Sequence, residues 1–347
     1  MASTSELEEA LAPLLSAKSV LTKPISSLPV LFFLYGVYCF TFGLAIHVLF
    51  HQSNPVHKLQ QRGTIALFTL ATIYTAIYTC EIFQEASLQF HAAATKDYTS
   101  ILQYLTGDDV KTALFGITSI TSTLMNSIAD TMLIHRCYLI FNSDKFVLFP
   151  LAFTACILNG IDLGCIIASI IGYGSTSKPG NSNLIAKVQD IDYGGMIAIA
   201  IFQIILSLLT GWCIWWITRQ ARQFMGQSVC TRYNDIVGII IESGLLYAGS
   251  LLTAVVVEFT IDPQSTGKVP VELTVVTGLM SGLAPTMVIT RVAYGKAVES
   301  VQQTISTFHI ANSQASQQTS TRQETVDIHL QMQPGIAVND LQGVEEI

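Results

Sequence analysis

Seven long runs of apolar residues dominate this chain and decide which solvent surrounds it. The runs cover residues 28–50, 63–83, 112–134, 146–171, 193–218, 236–258 and 271–291. Three of them reach full length only by including one acid each, Asp130, Asp162 or Glu242. A helix needs roughly 20 apolar residues to cross the hydrocarbon core of a bilayer. We therefore predict an all-α, polytopic membrane protein, a seven-transmembrane-helix bundle whose helices are called segments 1 to 7.

The amino-acid composition agrees with a bilayer environment. Hydrophobic residues make up 50% of the 347 residues and charged residues only 12%, whereas a soluble domain usually carries about 25% charged residues. Much of the acid lies near the N-terminus and in the tail, away from any basic surface, and we expect no nucleic-acid partner. The first 27 residues lack the basic start and the cleavage site of a secretory signal peptide, so we expect segment 1 to act as its own insertion signal.

The arginines are distributed unevenly between the two sides of the predicted bundle. Seven helices place the chain ends on opposite sides, and all seven Arg residues lie on the side that includes the tail. The positive-inside rule then places the N-terminus outside and the C-terminus in the cytosol. We predict an extracellular segment 1–27, a transmembrane domain 28–295 and a cytosolic, disordered tail 296–347 rich in Ser, Thr and Gln. We expect the plasma membrane rather than an internal membrane.

Ionisable residues near the cytosolic ends of segments 3, 6 and 7 predict an inner polar cluster, because a charge inside a membrane helix needs a partner or water. The cluster consists of Asp130, His135, Arg136, Glu242 and Arg291. We expect Glu242 to pair with Arg136 or Arg291. The cluster is either a fixed fastener between helices or a lock that opens. Pro285 removes one backbone hydrogen bond from segment 7, which makes it a candidate hinge.

A second group of polar residues lies toward the predicted outer side. Its members are Glu81, Asn126, Asn159, Asp162 and Gln203. Their depths predict that they surround an outer cavity that a small ligand enters, with Asp162 as its best contact. The alternative is a helix–helix hydrogen bond from Asp162 to Asn126 or to a Thr of segment 3, worth only about 1 kcal/mol in such bundles.

Sequence motifs of enzymes are missing from the chain. It contains no HExxH, Walker or Gly-x-Ser-x-Gly motif, and its seven His are scattered along the sequence. Segment 7 contains no Lys, which excludes a retinal Schiff base of the microbial-rhodopsin kind. We expect no enzymatic activity, no cofactor and no metal site.

Three motifs run through segments 3, 6 and 7: HRCYLIF at 135–141, IESGLLY at 241–247, and GLAPT at 282–286 followed by RVAYG at 291–295. In these motifs the chain resembles a large family of uncharacterised seven-helix proteins of mushroom-forming fungi. The resemblance implies a seven-helix fold and a fungal membrane, and it implies no biochemical activity.

The stretch His135-Arg136-Cys137-Tyr138 also occupies the place of the Asp-Arg-Tyr motif of G-protein-coupled receptors. The pair of Arg136 and Glu242 is similar to their ionic lock. The chain departs from those receptors because segment 7 has no Asn-Pro-x-x-Tyr motif and the predicted outer loops contain no Cys.

We interpret the chain as a receptor-like or sensory protein of the lipid bilayer, with a small-molecule ligand and a cytosolic signalling partner. A transporter or lipid exporter is the alternative, and a membrane enzyme without a recognisable motif is the third reading. A central cavity closed on the cytosolic side by an Arg–Glu pair favours a receptor. A continuous polar path through the bundle favours a transporter.

Overall fold

The computed structural model describes residues 18–50, 55–140, 145–174, 180–221, 227–261 and 269–291. The chain divides into two units, Met1–Gly295 and Lys296–Ile347. The second unit, with the predicted disordered tail, lies outside the described residues, and so does most of the predicted extracellular segment.

Helices make up nearly all of the described chain, in which no strand occurs. After a π-helical turn at Lys18–Thr22, they are α1 (Lys23–Phe50), α2 (Pro55–Thr95), α3 (Thr99–Gly107), α4 (Asp109–Ile140), α5 (Lys145–Tyr173), α6 (Asn181–Ala221), α7 (Gln227–Thr260) and α8 (Leu273–Arg291). The prediction of an all-α fold is confirmed. The seven long helices overlap segments 1 to 7 in order, and the short α3 is an element that the apolar pattern does not predict.

Among the residues that the structure describes, five helices are long and apolar enough to cross a bilayer, which indicates a multi-pass membrane protein. They are Val20–Leu49, Lys58–Thr95, Phe146–Tyr173, Asn181–Trp212 and Leu273–Arg291. The predicted spans 112–134 in α4 and 236–258 in α7 are not among the five. In α4, many hydroxyl, amide and acidic side chains lower the apolar content. In α7, the described apolar stretch is Gly244–Thr260, and the apolar sequence continues in front of it over residues 236–241.

Many threonine hydroxyls are satisfied within their own helices. Thr41, Thr75 and Thr210 each donate a hydrogen bond to the backbone oxygen four residues earlier, at 2.7, 2.8 and 2.7 Å. Lipid offers no hydrogen-bond partner to a polar group. This arrangement therefore allows the helices to carry hydroxyls in an apolar environment.

The last helix, α8, lies inside the bundle. Its apolar stretch is 72% buried, whereas the other four candidate spans are 17% to 44% buried. One apolar core joins α8 to α1, α2 and α4 through Leu279, Tyr38, Tyr74 and Met125. A second core joins α8 to α6 and α7 around Ala284, Ala200 and Leu251.

Large apolar side chains cover the outside of the surrounding helices. Phe33 of α1, Phe149 of α5 and Ile205 of α6 are 70%, 74% and 50% exposed, and many others on the same helices are comparably exposed. Soluble monomers rarely expose contiguous apolar surface of this extent. The exposed faces therefore suit contact with lipid.

Successive long helices run in opposite directions, so the bundle has two ends. At one end, Lys23 of α1 lies beside Glu85 of α2 and Glu272 at the start of α8, and we call this the Lys23 end. At the other, Arg291 of α8 lies beside Glu242 of α7, and we call this the Arg291 end. The helix α8 continues through Pro285, the predicted hinge, without a break in its helical assignment.

An aspartate precedes each of the two helices that follow α2 at the Lys23 end. The Thr99 hydroxyl and backbone N–H both donate to Asp97 Oδ1, at 2.7 and 3.0 Å, which lowers the pKa of the Asp97 carboxyl. The backbone N–H of Val110 donates to Asp108 Oδ1 at 2.9 Å. Such bonds satisfy N–H groups that have no partner within the first turn of a helix.

Candidate functional site: a cavity beside a central polar network

A buried carboxylate, Asp130 of α4, is the centre of the polar interior. It accepts hydrogen bonds from Asn126 Nδ2 at 3.5 Å and from Asn159 Nδ2 of α5 at 3.2 Å. It also accepts one from Gln203 Nε2 of α6. Asp130 and Gln203 are each only 2% exposed. The three amide donors therefore replace the water that an isolated buried carboxylate would require.

Two hydroxyl groups extend this arrangement. Tyr247 of α7 donates to Asn126 Oδ1 at 3.0 Å, and Ser127 donates to Asn159 Oδ1 at 2.8 Å. We call these residues the central network: Asn126, Ser127, Asp130, Asn159, Gln203 and Tyr247. Asn126 and Asp130 are four residues apart on α4 and thus lie on one face of the helix. The network consequently connects four helices, α4 to α7.

A cavity of about 360 Å³ lies between the central network and the Lys23 end. Its lining includes Phe115 and Ser122 of α4, Tyr173 of α5, Tyr193 of α6 and Thr277 of α8. Asn126 and Tyr247 of the central network also line it and form its deepest part, which we call the floor. The volume falls within the range of small-molecule sites, roughly 300–1,000 Å³.

Four carboxylates line the cavity: Asp162 of α5, Asp192 of α6, Glu258 of α7 and Glu272 before α8. Asp162 Oδ2 accepts a hydrogen bond from Thr123 Oγ1 of α4 at 2.6 Å. Asp162 therefore makes a hydrogen bond to a Thr of segment 3, as the alternative prediction expected. It also lines the cavity, as the ligand-contact prediction expected. The two predictions about Asp162 do not exclude one another.

An ion-pair group closes the wall of the bundle next to this cavity. Lys23 Nζ lies 3.4 Å from Glu272 Oε2 and 4.0 Å from Glu85 Oε1. The Ser27 hydroxyl accepts a hydrogen bond from the backbone N–H of Glu272 at 3.0 Å. These contacts hold the starts of α1 and α8 against the later part of α2.

Glu81, which was predicted to face the outer cavity, lies outside its lining. Its Oε2 accepts a hydrogen bond from Thr118 Oγ1 at 3.4 Å. It lines a smaller pocket of about 130 Å³ together with Tyr104 and Lys111. Burial raises the pKa of the Tyr104 hydroxyl, so this group remains a neutral hydrogen-bond donor.

Of the five residues predicted around the outer cavity, Asn126 and Asp162 line it. Asn159 and Gln203 belong to the central network beneath the floor. Segment depth does not predict the cavity positions of Asp192, Glu258 and Glu272, because each stands at the end of an apolar run, where an acid is ordinarily solvated. Their common position at the predicted outer ends of three segments was the available signal.

The predicted inner cluster is divided between two places. Arg291 Nη1 donates to Glu242 Oε2 at 3.4 Å, and the two side chains are 41% and 65% exposed. Asp130 belongs instead to the central network, with amide partners from three helices. An exposed ion pair typically contributes about 0–1 kcal/mol to stability. The pair of Arg291 and Glu242 therefore stabilises the bundle much less than a buried pair, whose disruption costs about 3–5 kcal/mol.

His135 and Arg136 lie near the Arg291 end of α4. Neither is paired with Glu242 within the described residues, where Arg136 Nε has no hydrogen-bond partner. Beside them, Cys137 Sγ and Thr210 Oγ1 form a hydrogen bond of 3.0 Å between α4 and α6. The receptor-like pairing of Arg136 with Glu242 therefore does not occur in this conformation.

No protein-family model matches the chain, and no match was found among curated proteins or among solved structures. Within the part of the chain that the structure describes, no three His, Cys, Asp or Glu side chains are grouped to hold a metal ion. The features available for recognition are a cavity with carboxylates, hydroxyls and aromatic rings, and a floor shared with a four-helix hydrogen-bond network.

Proposed function

We propose that this protein is a receptor-like membrane protein that binds a small molecule in the cavity and transmits its presence through the central network. In this proposal α1, α2 and α4 to α8 are the seven transmembrane helices, and α3 lies outside the bilayer. The arginine distribution supports an outer Lys23 end, so that the cavity lies on the extracellular side. Membership of the fungal seven-helix family is part of the same proposal.

The observation that carries this proposal is the double role of Asn126 and Tyr247. Both line the cavity, and the hydrogen bond between them joins α7 to the network around Asp130. A ligand that reaches the floor competes for, or completes, those hydrogen bonds. Its differential contacts then shift the equilibrium between arrangements of α4 to α7, which is what a receptor requires.

The interior beyond the network favours a receptor over a transporter. Met132, Leu133 and Leu206 lie in that region and are at most 9% exposed. Along α4 and α6, these buried apolar side chains separate the central network from the polar pair Cys137 and Thr210 nearer the Arg291 end. A transporter would need a second conformation in which this apolar region opens.

The first test is a thermal-shift screen of small molecules on the full-length protein in detergent, repeated with Ser122→Phe. Ser122 lines the cavity and is partly buried, so a phenyl ring there fills the space that a ligand needs. We expect compounds that stabilise the wild type to lose their effect in Ser122→Phe. Thr131→Phe makes the same kind of change at an exposed position of α4 and should preserve the shifts. Equal shifts in all three proteins would contradict the proposal.

A second variant separates transmission from binding. Tyr247→Phe removes only the hydroxyl that donates to Asn126, so such a compound should still bind, with an affinity changed by no more than one hydrogen bond, about 0.5–1.5 kcal/mol. Hydrogen exchange around Gln203 should respond to the compound in the wild type and much less in Tyr247→Phe. Uptake of the compound into proteoliposomes would instead support the transporter reading.

A further inference from the structure

We infer that the ligand of this cavity is a small organic cation, with an ammonium group and an apolar or aromatic body. This inference rests on the proposed function, because it specifies the chemistry of the same site. The charges and aromatic rings that line the cavity carry this inference. The proposed function itself does not depend on them.

The charges around the cavity are strongly unbalanced. Four acids line it, and no Lys, Arg or His among the described residues does. One ammonium group beside the cavity, Lys23, pairs with Glu272 and is shared with Glu85. Among the described residues, Asp192 and Glu258 form no hydrogen bond or ion pair through their carboxylates. Within the part of the chain that the structure describes, these two acids therefore have no counter-ion.

The unpaired acids are close enough to interact with one another. Asp192 and Glu258 line the same cavity as Asp162 and Glu272, so their negative charges repel one another across it. Each of the two is also partly removed from solvent, where repulsion is stronger than in water. A cation in the cavity would relieve this repulsion, while an anion would add to it. The electrostatics thus select the sign of the ligand charge.

Aromatic rings and hydroxyls fit the rest of such a ligand. Tyr74, Phe115, Tyr173, Tyr193 and Tyr247 line the cavity. Aromatic faces attract ammonium groups by roughly 0.5–2 kcal/mol and also bury apolar surface. A volume of about 360 Å³ is far more than one inorganic ion occupies. The combination therefore favours an organic ammonium compound over a bare metal cation.

The experiment compares three probes of similar size on the full-length protein: 2-phenylethylamine, 2-phenylethanol and 3-phenylpropanoate. Binding is measured by isothermal titration calorimetry. We expect the amine to bind best and the carboxylate not at all. Asp192→Asn and Glu258→Gln should each weaken the amine about tenfold, which corresponds to about 1.4 kcal/mol. Asp190→Asn removes the same charge at an exposed position outside the lining and should leave the affinity unchanged.

The outcomes separate this inference from the proposed function. If the alcohol binds as tightly as the amine, or the amine keeps its affinity in the Asp192→Asn/Glu258→Gln double variant, the cation inference is wrong. If in that case the alcohol does not bind to Ser122→Phe, the proposal of a ligand cavity still stands. If no probe binds at millimolar concentration, the cation inference also fails. In that case, compounds from the thermal-shift screen that stabilise the wild type but not Ser122→Phe would still support the proposed ligand cavity.

Discussion

Replacing Asp130 with alanine is expected to lower the free energy of unfolding by about 3 kcal/mol, because buried donors left without an acceptor cost roughly 1–3 kcal/mol each. Gln203 Nε2 loses the one hydrogen bond that it makes among the described residues. Asn126 and Asn159 lose one bond each and keep others. A single interhelical hydrogen bond in a membrane averages only about 0.6 kcal/mol. The expected loss is larger because one carboxylate accepts hydrogen bonds from three amides.

Thermal unfolding of the purified protein in detergent measures this effect. Asp190→Ala, at an exposed position of α6, is the control and should unfold like the wild type. Gln203→Leu combined with Asp130→Ala should cost clearly less than the sum of the two single changes, because the stranded amide is removed. Wild-type stability in Asp130→Ala, or strict additivity of the two changes, would show that the central network does not hold α4 to α7.

A methyl group added at Gly244 is expected to cost about 2 kcal/mol, within the 1–3 kcal/mol typical of an overpacked core. Its position would lie 2.5 Å from Ser207 Cβ and closer still to Ser207 Oγ. Ser207 is 3% exposed, so it has little room to move. The small residues allow α6 and α7 to approach closely, as small side chains commonly do between membrane helices.

Gly249→Ala is the matched control on the same helix, because nothing lies within 4 Å of its added Cβ. Alanine is the better helix former by roughly 0.5–1 kcal/mol, so this variant should be at least as stable as the wild type. The exchange Gly244→Ala with Ser207→Gly should recover most of the loss. Equal melting temperatures for Gly244→Ala and Gly249→Ala would mean that α6 and α7 are not packed at this point.

The apolar pattern predicts where helices cross a bilayer but not where they end. Segment 5 was predicted to begin at residue 193, yet α6 begins at Asn181, because polar residues such as Lys187 and Asp190 continue the helix in front of its apolar run. The same applies to α2, which continues through Glu85 to Thr95. Hydropathy reports the solvent around a helix and is blind to its polar extensions.

Depth along a helix was not enough to predict the polar clusters. Asp130 and Glu242 were assigned to one cluster because their axial positions match. A helix turns by about 100° per residue, however, and the face on which a side chain lies decides its partners. Asp130 faces α5 and α6, and Glu242 faces Arg291. The amides of Asn126, Asn159 and Gln203 were recognised as polar membrane residues, but Tyr247, which completes the network, looks like any apolar helix residue.

The central claim is that water reaches a cavity inside a lipid-embedded bundle from the outer side, and cysteine labelling tests it most directly. Ser169 of α5 lines the cavity, whereas Ile167 of the same helix is 52% exposed on the apolar surface. Each is changed to Cys in a Cys165→Ser background, because the free thiol of Cys165 also lines the cavity. The cells are treated intact with a membrane-impermeant maleimide, and the Cys165→Ser chain alone gives the background. We predict labelling of Ser169→Cys, little labelling of Ile167→Cys, and loss of the first signal when Ser122→Phe is added. Labelling of Ile167→Cys but not of Ser169→Cys would contradict both the lipid-facing surface and the open cavity.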